Sequence, residues 1–132
     1  MKKNINKYLL YYLSILFLFS LLFLFKKYTV GNDSTISEWL INYEGGFTKR
    51  GLIGQISIFI SKTFSIELRE SIFIFQTIVV GIYFILLFHF LKNIKSERLF
   101  LLAIFTPIFI LYPVAEIEVL ARKEIFVFIS LI

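Results

Sequence analysis

Apolar residues form long blocks along this chain rather than alternating or following a helical spacing. Blocks without any Asp, Glu, Lys or Arg cover residues 8–25, 71–91 and 99–115, and a shorter one covers 125–132. An α-helix rises 1.5 Å per residue, so about 17 to 25 apolar residues are enough to cross the hydrocarbon core of a bilayer. The pattern predicts an all-α, polytopic transmembrane helix bundle with three complete spans and the start of a fourth.

The first apolar block could be a signal peptide, and the last is too short to span a membrane. A signal peptide would have a shorter apolar region, of about 7–15 residues, and a small-residue cleavage site. Block 8–25 is longer and runs into "KKYTV", so we expect an uncleaved first span. The chain stops inside the block that begins at Ile125. We therefore interpret residues 1–132 as the N-terminal part of one transmembrane domain in a longer protein.

Residues 26–70 form a long segment of mixed polarity between the first two spans. Asp33 or Ser34 is placed to cap a short helix over 37–43. The stretch 52–66 repeats its apolar residues at helical spacing and carries Lys62, whose charge makes a full crossing costly. This pattern predicts an amphipathic helix that lies in the membrane interface.

Composition and charge agree with a membrane protein and indicate its orientation. The chain is 58% hydrophobic and 17% charged, with a formal net charge of +5 and no cysteine. Nothing resembles a nucleic-acid-binding module, and the basic balance fits cationic flanks of spans. Cations cluster in residues 1–7 and 92–98, which predicts that both face the cytoplasm. Segments 26–70 and 116–124 would then lie outside.

Candidate chemistry is concentrated in "NYEGGFTKRGLIG", residues 42–54. Its glycines permit close approach of the backbone, and Lys49 and Arg50 add two cations, a combination that suits phosphate or pyrophosphate. Glu44 is an acid that can serve as general base or metal ligand. The alternative is an ordinary turn whose cations reach lipid headgroups.

A second candidate is "EIEVLARKE", residues 116–124. Glu118 and Arg122 are spaced i, i+4, so on a helix they pair. Arg122 and Lys123 stand at the start of a predicted span, where charges are expensive unless they serve a polar cavity. Arg122 is thus a candidate ligand-binding residue, with snorkelling to headgroups as the alternative. Asp33, after the first span, is either a helix cap or a catalytic acid.

The "GGFTKRGLIG" stretch, in a long loop after a first span, resembles multi-span bacterial envelope proteins of surface-polysaccharide synthesis, similar in plan to GT-C glycosyltransferases and O-antigen polymerases. The resemblance implies a protein of the bacterial inner membrane that uses polyprenyl-phosphate-linked sugars at the outer surface. Asp33 or Glu44 would deprotonate the acceptor hydroxyl. Four cations, with Glu118 beside them, would hold the lipid phosphate: Lys49, Arg50, Arg122 and Lys123. A divalent cation held by the acids is compatible with this scheme.

Two other functions fit the same residues. A transporter or flippase subunit would use Arg122 and Lys123 as an anion site and Pro107 as a kink. A non-catalytic membrane subunit would use the outer loop to dock a partner. Whether the chain is an enzyme is therefore left open by the sequence.

Overall fold

All regular secondary structure in the described part of the chain is helical. In this computed structural model, the described residues are 2–30, 34–44, 46, 51–93 and 111–132. No strand occurs within these ranges, which confirms the all-α class for them. The helices are α1 (Lys2–Thr29), α2 (Ser34–Leu40), α3 (Gly51–Phe64), α4 (Leu68–Asn93), α5 (Tyr112–Ala115), α6 (Ile117–Ala121) and α7 (Ile125–Leu131).

Two of these helices are long and apolar enough to cross a membrane. They are Asn6–Thr29 within α1 and Leu68–Asn93, the whole of α4. Each contains one predicted block, 8–25 or 71–91, and extends it into polar flanks, because backbone hydrogen bonding continues past the last apolar residue. The predicted span 99–115 lies mostly outside the described residues. The block from Ile125 is helical as far as Leu131.

Helices α1 and α4 pack side by side in opposite directions. Phe17 meets Phe84 with ring centroids 5.5 Å apart, whereas Tyr28, farther along α1, meets Phe73 at 5.1 Å. The end of α1 therefore lies beside the start of α4. Their contact forms the main apolar core, which includes the buried residues Leu13, Leu24, Ile72, Val80, Tyr83 and Leu87.

Helix α2 runs over Ser34–Leu40, so the prediction of a helix over 37–43 was wrong at both ends. Asn42 explains where it stops. Its side-chain amide donates to the carbonyl of Leu40 at 3.1 Å, and its Oδ1 accepts the backbone N–H of Glu44 at 2.8 Å. An Asn side chain that bonds its own backbone in this way competes with the helical pattern and ends it.

Helices α3 and α4 are joined by the three residues 65–67 and form a tight hairpin. Ser65 adopts a left-handed conformation with φ of 53°, and the Ser61 hydroxyl donates to the carbonyl of Ile66 at 2.7 Å. The hydroxyl of Ser71 donates to the carbonyl of Ser57 at 2.9 Å. These bonds close the corner and hold the first turns of α4 against the middle of α3.

The C-terminal part of the described chain is an interrupted helix. Glu116, with ψ of 84°, separates α5 from α6, and Arg122, with ψ of 170°, ends α6 before α7 begins at Ile125. Both residues leave helical geometry, so the helix is broken twice within a short stretch. The second break brings the charged residues of "EIEVLARKE" to a turn rather than along a continuous span.

Candidate functional site

The break after α6 is fixed by two side chains from distant parts of the chain. The N–H of Ile125 would bond to the carbonyl of Ala121 in a continuous helix, but it donates to the carbonyl of Arg122 at 3.4 Å. The freed Ala121 oxygen instead accepts the indole N–H of Trp39 at 2.7 Å and the amide N–H of Gln76 at 2.8 Å. Three segments, namely α2, α4 and α6, are thereby joined at one carbonyl.

Trp39 is fully buried at this junction. Its ring packs against Phe75 of α4 at 5.7 Å and against Phe126 of α7 at 6.1 Å between centroids. Tryptophans near the ends of spans often lie at the membrane surface, but this one is enclosed by protein. Its N–H finds a buried acceptor, as the indole group of a buried tryptophan usually does.

Three charged side chains lie beside the junction that Trp39 and Gln76 form at the Ala121 carbonyl. Glu118 of α6 is within 3.8 Å of the Lys27 ammonium at the end of α1, and Arg122 reaches the same carboxylate at 3.4 Å. The i, i+4 pairing of Glu118 and Arg122 is thus confirmed. Lys27 and Arg122 both reach the Glu118 carboxylate, and the three side chains form a triad. Arg122 is 36% exposed, and its Nε atom is buried without a hydrogen bond.

Arg69, in the first turn of α4, caps the C-terminal end of α1. Its guanidinium donates to the carbonyls of Lys27, at 3.2 Å, and of Val30, and lies 5.7 Å from the ring centroid of Tyr28. Cations favour the C-terminal end of a helix because its last carbonyls lack partners and carry partial negative charge. Arg69 therefore holds the end of α1 beside the start of α4, next to the triad.

Glu44, one of the two acids predicted for catalysis, does not belong to this triad and contacts α3 instead. Its carboxylate is within 3.5 Å of the Lys62 ammonium, and both side chains are exposed. Asp33, Lys49 and Arg50 lie outside the described residues, so their predicted roles stay predictions. Lys123 is half-buried beside Arg122, and its backbone carbonyl accepts the N–H of Phe126. The structure thus brings Glu118 and Arg122 together, with Lys123 next in the chain.

No group of three or more acidic or histidine side chains within the described ranges is arranged to hold a metal ion. A cavity of about 350 Å³ lies elsewhere, in the groove between the first half of α1 and the second half of α4. It is lined mainly by apolar side chains, with His89 among them, whose Nδ1 lies 3.0 Å from the carbonyl oxygen of Ile85. His89 thus has a local partner within its own helix.

Sequence reasoning did not select Lys27, Gln76 or Trp39 for this site. For Gln76 a signal was present, because it is the only side-chain amide in the apolar block 71–91. A polar group in a segment of membrane length is expected to face the bundle interior and to find a partner there. For Lys27 and Trp39 the partners are far away in sequence, and no local pattern points to them.

No protein family, curated protein or solved structure matches this chain.

Proposed function

We propose that this chain is an integral membrane protein of the bacterial inner membrane, which α1 and α4 cross with the N-terminus in the cytoplasm. The support is the length of both helices together with their exposure. Only 22% of the apolar window of α1 and 44% of that of α4 is buried. Core helices of a soluble protein would be mostly buried, whereas lipid-facing helices expose apolar side chains.

We propose further that the charged end of this helix pair handles a polyprenyl-phosphate-linked sugar, as a glycosyltransferase or polysaccharide polymerase does. The observation that carries this proposal is the environment of Arg122. Its guanidinium is half-buried at a helix break, pairs with Glu118, and lies beside the ends of two apolar helices of membrane length. A lipid phosphate combines an anionic head with an apolar tail and suits such a location.

In this scheme the cations bind and one acid reacts. Arg122, with Lys123, Lys49 and Arg50, would hold the phosphate and stabilise the charge that develops on the leaving group. Glu44 or Asp33 would take the proton of the acceptor hydroxyl. Glu44 has the exposure that an acceptor needs to reach it, and its ion pair with Lys62 is open to solvent.

The test is to replace Arg122 in the cell and to measure envelope polysaccharide at matched membrane levels of the protein. Arg122→Ala should abolish or strongly reduce the polysaccharide, and Arg122→Lys should retain part of it, because a lysine keeps the charge but loses the fork geometry. Lys92→Ala is the matched control: it removes an exposed cation at the opposite end of α4. Normal polysaccharide in Arg122→Ala would refute the proposal.

A transporter or flippase is the second candidate, and the two breaks around α6 favour it. Interrupted helices commonly form the substrate sites of transporters. Under that function, Arg122→Ala would leave cargo on the cytoplasmic face, and Glu44→Gln would have no effect on transport. A non-catalytic subunit would tolerate both changes unless they also abolish co-purification of its partner.

A further inference from the structure

Helix α3 has an inverted arrangement of large and small residues. Its buried side consists mainly of small residues at a spacing of three, namely Gly51, Gly54 and Ser57, together with Ile58. Its outward side carries three large apolar residues, with Leu52 61% and Phe59 69% exposed and Ile56 exposed to a smaller extent, and the polar Gln55 and Thr63 are exposed beside them. The small side faces α2 and α4, since Gly54 approaches the backbone of α2 and Ser57 bonds to Ser71.

The outward position of the large apolar residues differs from what water selects. An amphipathic helix on a soluble protein turns its large apolar side chains inward and its polar ones outward. In lipid the apolar side chains have no reason to turn inward, and helices approach each other through small residues that let the backbones come close. We propose that the outward face of α3, formed by Leu52, Ile56 and Phe59, contacts lipid acyl chains. The proposal rests on the membrane location proposed above.

The position of α3 supports a lipid surface rather than a protein partner. The hairpin with α4 sets the outward face of α3 next to a helix with its own exposed apolar stripe, which includes Ile74 and Ile78. The 14 residues of α3 span about 21 Å, less than the hydrocarbon thickness of roughly 30 Å. Lys62, near the end of α3, reaches Glu44, and Lys49 and Arg50 precede the helix in the sequence, so its charges stand at its two ends. Helix α3 is thus embedded beside α4 without crossing.

The chain contains no cysteine, so a single introduced cysteine can be labelled specifically. Single variants Leu52→Cys and Phe59→Cys of the 132-residue chain are labelled with an environment-sensitive fluorophore and reconstituted into vesicles of phosphatidylcholine and phosphatidylglycerol. Quenching by spin-labelled lipid is compared with quenching by aqueous iodide. Ile78→Cys is the control for a lipid-facing site on α4, and Glu44→Cys is the control for a water-facing site. Unchanged emission of Trp39 verifies that each variant is folded.

Lipid contact predicts strong quenching by spin-labelled lipid at positions 52 and 59, as at 78, with iodide quenching several-fold weaker than at 44. Iodide quenching at 52 and 59 as strong as at 44 would overturn the proposal while leaving the spanning helices intact. Protection from both quenchers would also overturn it, because a protein surface, such as a second copy, would then cover the face. If iodide also reaches position 78, the membrane location of α4 itself is wrong.

Discussion

Replacing Gly54 with alanine adds one methyl group, which should push α2 away from α3. A Cβ at this residue would overlap the carbonyl oxygen of Ile41, and it would lie 2.7 Å from the Ile41 carbonyl carbon and 3.0 Å from the carbonyl oxygen of Trp39. All three atoms belong to the backbone, so no side-chain rotation relieves the contact. In Gly54→Ala the end of α2 must therefore move away from α3.

The expected cost follows from two opposing effects. Overpacking of a well-packed site costs roughly 1–3 kcal/mol, and a contact with backbone belongs at the upper end of that range. Replacing glycine by alanine inside a helix returns up to about 1 kcal/mol. The net destabilisation should be about 2 kcal/mol, the difference between about 3 and about 1 kcal/mol. Gly81→Ala is the matched control, because nothing lies within 4 Å of the added Cβ in the middle of α4.

The single tryptophan of the chain provides the assay. Trp39 is fully buried, and its own carbonyl oxygen is among the atoms that the new methyl group displaces. We expect Gly54→Ala to shift the emission of Trp39 to longer wavelength and to lower the unfolding midpoint in detergent. Gly81→Ala should leave the emission unchanged and keep or raise the midpoint. Equal stability and equal emission in the two variants would show that the close approach of α2 and α3 is wrong.

Three further predictions concern the junction and the exposed ion pair. Gln76→Leu alone should cost about 1 kcal/mol in detergent unfolding, since Trp39 still donates to the Ala121 carbonyl. Trp39→Phe should cost more, because the smaller ring also leaves a cavity at a fully buried site. The double variant should cost more than the sum, because the buried carbonyl then lacks both donors; strict additivity in the cycle would contradict the shared acceptor. Glu44→Gln should change stability by less than about 1 kcal/mol, and high salt should remove even that difference, as its pair with Lys62 is exposed. A larger, salt-independent loss would mean that Glu44 has a buried partner.

The local features of this fold could be predicted from the sequence. The apolar blocks 8–25 and 71–91 predicted two long helices, because helical hydrogen bonds form within the segment itself and need no distant partner. The pairing of Glu118 with Arg122 followed from the same local geometry. Helix α3 was expected over 52–66 and occupies Gly51–Phe64, and its earlier C-terminal end follows from the left-handed backbone of Ser65.

The tertiary structure alone decided how these pieces meet. Trp39 and Gln76 bond to Ala121 across 82 and 45 residues of sequence, and Lys27 meets Glu118 only because α6 folds back onto the end of α1. No periodicity encodes such contacts, since they depend on the packing of helices that are distant in the chain. The same holds for the outward face of α3: its spacing revealed an amphipathic helix, but packing determined that the small residues face inward. The sequence therefore determined which segments are helical and apolar, and the packing determined which polar groups share a site.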